Sequence, residues 1–117
     1  MNKYFTNEYI ELCKSKKVQN LWLNHYPEHC YLENNHESME SLIWLPDSDD
    51  LDDKIFKILE NWSKEEDIEY SFEVSFIDNK MTAFRLTIEN EDNVQGEVNT
   101  NPLVAKIKTL IDLLEAK

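Results

Sequence analysis

Apolar residues recur with a helical period in two long stretches of the chain. Both repeat at i, i+4, i+7 and i+11, the spacing that places side chains on one side of a helix. Ser48 or Asp49 is expected to cap the first of these helices, and Asn101, which a proline follows, the second. A shorter helix is predicted over 7–17, with Asn7 as its cap. The two stripes are Leu51, Ile55, Ile58 and Trp62, and Leu103, Ile107, Leu110 and Leu114.

A period of two replaces the helical period between residues 68 and 76. Such alternation predicts a strand that buries one face only. A tight turn at Asp78-Asn79 then leads to a second strand over 84–88, and a third is predicted over 94–98. The apolar positions of the first strand are Ile68, Tyr70, Phe72, Val74 and Phe76.

The rest of the chain has weaker patterns. Residues 18–28 are ambiguous, and Pro27 ends any helix that reaches it. The short runs 30–33 and 41–45 are predicted to pair as an edge hairpin. No repeat or linker divides the chain, so 1–117 is predicted to be a single domain. The fold class is α+β: an antiparallel meander sheet with two or three helices packed on it, an α/β sandwich.

Two helix starts resemble those of a known family. Leu45-Pro-Asp-Ser-Asp-Asp-Leu51 resembles the proline, serine, aspartate and aliphatic signature that opens the equivalent helix of the phage ABA sandwich domain. Asn99-Thr-Asn-Pro-Leu103 resembles the start of that family's last helix, and the resemblance covers about 42–116. It implies an α/β sandwich from a tailed phage or prophage, in a family without an established activity, and it transfers no catalytic residue.

Negative charge is the most unusual feature of the composition. The 24 acidic and 12 basic residues give a net charge of -12. The whole excess lies in two segments: 26–53 has nine acids and no lysine or arginine, and 67–93 has seven acids against two bases. Such a field repels nucleic acid and anionic membranes and attracts basic proteins. No direct nucleic-acid or membrane binding is therefore expected.

The acidic segments predict a binding face for a basic host protein. Solubility and protection of a sheet edge are the alternative explanation for the same charges. Trp22, Tyr26, Tyr31 and Trp44 lie in or near the acidic region and are candidate interface anchors, although the apolar run around Trp44 favours the core for that residue. The predicted face consists of Glu33, Glu37, Glu40, Asp47, Asp49, Asp50, Asp52, Asp53, Glu69 and Glu73.

The segment His25-Tyr-Pro-Glu-His-Cys30 is the strongest candidate for metal or nucleophile chemistry. Pro27 disfavours the single helix that would put His25 and His29 on one face, and in an extended chain they lie about 13 Å apart. A polar loop, with His36 further on, is therefore preferred to a metal site. Sequence adjacency alone gives His29 no position from which to activate Cys30. Neither a metal nor catalytic residues are predicted.

These observations favour a non-enzymatic protein. Cys13 and Cys30 are expected to be reduced thiols, and Gly96, the single glycine, cannot form a phosphate-binding loop, so no cofactor is predicted. The function predicted is an inhibitor or counter-defence protein of a phage or prophage, cytoplasmic, that binds a basic host protein surface. One alternative is a small-ligand or signalling-nucleotide sponge that uses tyrosines, tryptophans and Arg85. Another is a hydrolase that uses Cys30 and His29.

Overall fold

The computed structural model describes residues 3–30, 44–90 and 94–115. Its helices and strands form an α+β fold with a three-stranded antiparallel sheet and helices packed against it, which confirms the predicted fold class. The chain divides into two compact units, Met1–Pro46 and Asp47–Lys117. A single domain over 1–117 remains a prediction. In chain order the elements are α1 (Asn7–Lys14), α2 (Lys16–His25), α3 (Pro27–Cys30), α4 (Ser48–Ser63), β1 (Glu69–Ile77), β2 (Lys80–Glu89), β3 (Val94–Asn99) and α5 (Pro102–Glu115).

The first unit begins with two helices that a serine separates. Thr6, and not Asn7, caps α1, because its hydroxyl accepts a hydrogen bond from the Tyr9 amide at 3.3 Å. The helix predicted to reach residue 17 stops at Lys14, since Ser15 is extended and its hydroxyl accepts from the Val18 amide to start α2. The Tyr9 hydroxyl donates to the Pro46 carbonyl at 2.6 Å. Among the described residues of the first unit, the buried side chains include Tyr9, Cys13, Val18 and Trp22.

The predicted edge hairpin falls largely outside the described residues. Residues 31–43 are not described. Of the two predicted runs, Cys30 ends α3, and Trp44 and Leu45 belong to no helix or strand. Among the described residues, none of the helices is both long and apolar enough to cross a membrane.

Burial makes Cys13 an unreactive thiol. Desolvation raises its pKa to about 11, although a hydrogen bond with Tyr9 acts in the opposite direction. Because the thiolate is the nucleophile, we expect iodoacetamide at pH 8 to modify Cys13 only when the protein opens. Peptide mapping after timed exposure checks this, with denatured protein as the fully reactive control. Modification of Cys13 in folded protein at the rate of an unfolded chain would contradict its burial.

The second unit begins with α4, whose predicted apolar stripe is confirmed. Leu51, Ile55 and Ile58 are buried, as is Leu59, while Trp62 is half buried. The cap is Asp47, which precedes both predicted candidates, Ser48 and Asp49.

In α5, Asn101 caps the helix as predicted, and its side-chain oxygen accepts from the Leu103 amide at 2.9 Å. Burial in α5 extends well beyond the predicted stripe, to Val104, Ala105, Lys106, Thr109, Ile111 and Leu113.

The sheet is a meander with strand order β1-β2-β3. Asp78 and Asn79 have φ values of 52° and 65°, the left-handed conformation that a two-residue hairpin turn requires, so the predicted turn is confirmed. Tyr70 pairs with Ile88 and Phe72 with Leu86, and paired residues share a face. We call this the helix-side face, and it also includes Val74 and Phe84. The helix α4 approaches it through Phe56, whose ring centre lies 5.2 Å from that of Tyr70. The helix α5 packs on β2 and β3. The opposite, polar face consists of Glu69, Ser71, Glu73, Ser75, Ala83, Arg85, Thr87 and Glu89.

Candidate functional site

Two of the carboxylates predicted to form the acidic face cap α4. The Asp47 side chain accepts from the Asp50 amide at 2.9 Å, and the Asp50 side chain accepts from the Asp47 amide at 3.0 Å. This reciprocal capping box satisfies amides that the first turn of a helix otherwise leaves unpaired. Asp49 lies beside them, exposed in the first turn. Asp47 and Asp50 therefore have a structural role that explains them without a partner.

Two further carboxylates of the predicted acidic face, Asp52 and Asp53, form ion pairs. Asp52 lies 2.9 Å from the ammonium of Lys106, a residue of α5 that is only 8% exposed. The same ammonium donates to the Ser48 hydroxyl at 2.7 Å. Asp53 pairs with Lys57 one turn later at 3.2 Å. Asp52 thus joins α4 to α5, and Asp53 is partly neutralised.

Glu69 and Glu73 lie on the polar face of the sheet, away from α4. Glu73 is directly opposite Arg85 in the pairing of β1 with β2. The ring contact between Phe56 and Tyr70 places α4 on the other face. The structure therefore does not bring the α4 carboxylates and the β1 carboxylates to one face. Glu33, Glu37 and Glu40 lie outside the described residues.

The polar face includes a like-charge pair that the sequence analysis missed. Glu69 is directly opposite Glu89, and both are exposed. Asp67, Glu69 and Glu89 line an open cleft together with Ile68 and Asn90. Like charges directly opposite each other destabilise a sheet, so this pair lowers the stability of the fold. A cationic group bound in the cleft would remove that repulsion.

The apolar side of β1 is largely open to solvent. Phe72 is 60% and Phe76 64% exposed, and Val74 is exposed as well. The prediction that this strand buries its apolar face is therefore wrong over most of its length. Within β1 only Tyr70 is half buried. Burial, and secondarily the charge of Asp52, raises the pKa of Tyr70 to about 12. By contrast, the apolar residues Phe84, Leu86 and Ile88 of the neighbouring strand are all buried.

The histidine segment is helical and not a polar loop. His25 ends α2 and His29 lies in α3, where its ring stacks on Trp44 at 4.1 Å between centroids. Trp44 in turn contacts Trp22, which is fully buried, and Tyr26, which is half buried. These aromatic contacts explain the residue types by packing. Tyr31 and His36 lie outside the described residues.

Two further observations, on potential metal ligands and on carboxyl pKa values, concern the side chains that the structure describes. Among the side chains described in 3–29, 44–90 and 96–115, no three potential metal ligands of the histidine, cysteine, aspartate and glutamate types come together. Burial and the nearby Asp112 carboxylate raise the pKa of Glu97, the clearest shift of a carboxyl group in that part of the chain. Glu97 is half buried in β3, so its shift comes first from burial and then from the neighbouring acid.

Comparison with known proteins adds no relative. No protein-family model matches the chain, and neither a curated protein nor a solved structure matches it.

Proposed function

We propose that this protein is a small, non-enzymatic, cytoplasmic binding protein that uses carboxylates to occupy a basic surface of a host protein. The observation that carries the proposal is the Glu69–Glu89 pair on the polar face. The pair costs the fold stability and has Asp67 beside it, an arrangement that binding of lysine or arginine would relieve. A net charge of -12 would also accelerate encounter with a basic partner.

The binding site proposed here is narrower than the face predicted from the sequence. Asp47 and Asp50 cap α4, and Asp52 is paired with Lys106. Engaging those carboxylates would compete with contacts that stabilise the unit. Glu69, Glu73 and Glu89 carry no such stabilising contact with α4 or α5, so they are the better ligands for a partner. Asp49 and Asp53 would add to the field without direct contact.

The proposal of an inhibitor or counter-defence protein of a phage or prophage rests on the resemblance of the two helix starts to the phage ABA sandwich domain. An acidic protein that covers a basic host surface would compete with whatever that surface binds, including nucleic acid.

The signalling-nucleotide alternative finds less support. The cleft at Asp67, Glu69 and Glu89 would repel phosphate, and Arg85 is opposite Glu73 on the polar face.

Charge reversal within the like-charge pair tests this proposal. We expect Glu89→Lys to stabilise the fold by about 0.5 kcal/mol, because a repulsive pair with Glu69 becomes an attractive one across the strands. The same change should weaken capture of the basic host partner at least about tenfold, since it places a cation in the cleft. Chemical denaturation measures the first effect, and a quantitative pull-down from the natural host the second.

A matched control separates local charge from net charge. Glu60→Lys alters an exposed glutamate of α4 and changes the net charge by the same amount. It should leave capture nearly unchanged, and wild-type capture should fall steeply as salt rises. Equal losses in Glu89→Lys and Glu60→Lys, or capture that is insensitive to salt, would contradict the proposed function.

A further inference from the structure

The strand β1 ends the described sheet on one side. Because the strand order is β1-β2-β3, the second edge of β1 meets no strand within the described residues. This edge runs for nine residues, Glu69–Ile77. Amides and carbonyls along an edge strand are ready to pair with another chain.

Apart from the exposed carboxylates of Glu69 and Glu73, the edge lacks the features that prevent such pairing. Proteins usually protect edge strands with lysine, proline, short length or a bulge that twists the edge away. β1 is nine residues long and contains no lysine, proline or glycine. The register does shift near Ser75, but the extra residue is Thr82 of β2. The bulge is therefore in β2, and β1 itself has no extra residue that would interrupt pairing along its free edge.

The two faces of β1 offer different chemistry to an added strand. Phe72 and Phe76 expose most of their surface on the helix-side face, at 60% and 64%. Glu69 and Glu73 are exposed on the polar face. An added strand alternates its side chains in the same way, so one set would cover the phenylalanines and the other would meet the carboxylates.

Charge determines which kind of strand fits. A second copy of the chain would bring another net charge of -12 to this edge. The strand β1 has no lysine or arginine that could pair with the carboxylates of that copy. A basic segment reverses that balance, since its cations would meet Glu69 and Glu73. The carboxylates are four residues apart along one strand, about 13 Å at the usual rise per residue.

We propose that β1 binds its partner by strand addition, pairing with an extended segment that has basic residues at i and i+4 and apolar residues at i+1 and i+3. This inference rests on the proposed function and specifies the form in which the basic partner is recognised. Backbone pairing supplies affinity along the edge, while the exposed phenylalanines and the two carboxylates select the sequence.

Two synthetic peptides of equal composition test the proposal on the full chain. The first, Thr-Ile-Thr-Val-Lys-Val-Thr-Ile-Lys with blocked ends, matches the length of β1 and, added antiparallel, places lysines opposite Glu73 and Glu69 and apolar residues opposite Phe72 and Phe76. The second, Lys-Lys-Thr-Thr-Thr-Ile-Val-Val-Ile, has the same charge but no alternation. We expect the first to bind at least about tenfold more tightly and to slow amide exchange across 69–77.

A variant of the exposed phenylalanines separates strand addition from simple charge attraction. Phe72→Ser combined with Phe76→Ser should weaken the alternating peptide about tenfold and leave the fold intact, because both rings are mostly solvated. Leu23→Ser, at an exposed apolar residue of α2, is the control and should change nothing. Thermal unfolding of each variant verifies that the fold persists.

The outcomes separate the inference from the proposed function. Equal binding of the two peptides, with equal weakening by Glu89→Lys, would overturn strand addition and leave the electrostatic function standing. Binding of either peptide that Glu89→Lys does not weaken would overturn the proposed function itself. Failure of the alternating peptide to bind, or dimerisation of the chain that depends on Phe72 in sedimentation analysis, would also overturn the inference.

Discussion

Replacing Gly96 by alanine is expected to destabilise the second unit by about 3 kcal/mol. Gly96 lies in β3 directly opposite Thr87 of β2. A Cβ at this position would lie 2.0 Å from the Leu86 carbonyl oxygen, and backbone atoms cannot move aside as a flexible side chain could. The two strands would therefore have to separate, with loss of their pairing.

Chemical denaturation of Gly96→Ala beside Val98→Ala measures this effect. Val98 is two residues further along β3, on the same face, and is exposed, so its truncation should cost less than about 0.5 kcal/mol. A loss for Gly96→Ala as small as that of the control would mean that β3 does not approach β2 as closely as described.

Replacing Lys106 by methionine is expected to cost about 2 kcal/mol. The Lys106 ammonium lies 2.9 Å from Asp52, donates to Ser48 and lies 5.6 Å from the centre of the Phe84 ring. Methionine fills similar space but leaves the Asp52 carboxylate, which is 32% exposed, without its cation. Partial access to water keeps the cost below that of breaking a fully buried pair.

Lys57→Met is the matched control, because it breaks the exposed pair with Asp53 and should cost only about 0.3 kcal/mol. In the double variant Asp52→Asn with Lys106→Met, part of the lost stability should return, since no charge is then stranded. Equal unfolding free energies for Lys106→Met and Lys57→Met would contradict the structural role assigned to the buried pair.

The pattern of apolar residues predicted the elements of the second unit well because periodicity depends on local geometry. The same pattern also indicates the irregularity in the pairing of β1 with β2. A two-residue turn at Asp78-Asn79 pairs Ile77 with Lys80, and continuing that register would pair even-numbered with odd-numbered residues. The apolar residues of both strands are even-numbered, so they share a face only if one residue is skipped. Thr82 is that residue, and the shift brings Glu69 opposite Glu89.

Exposure of β1 could not be read from the same pattern. Alternation looks alike whether a helix covers the apolar face or leaves it open, and the difference depends on where α4 and α5 lie. In this structure α5 packs on β2 and β3, and α4 reaches β1 through the contact of Phe56 with Tyr70. The capping box and the Asp52–Lys106 pair were likewise hidden, since one depends on a backbone conformation and the other on residues far apart in sequence.

Mapping the alternating peptide onto the isotope-labelled full chain by NMR tests the central claim most directly. We expect the largest amide shift changes in 67–77 and 85–90, which contain β1, the cleft carboxylates and the part of β2 that pairs with β1. Largest changes at any other place, above all at 48–53 where α4 begins, would contradict it.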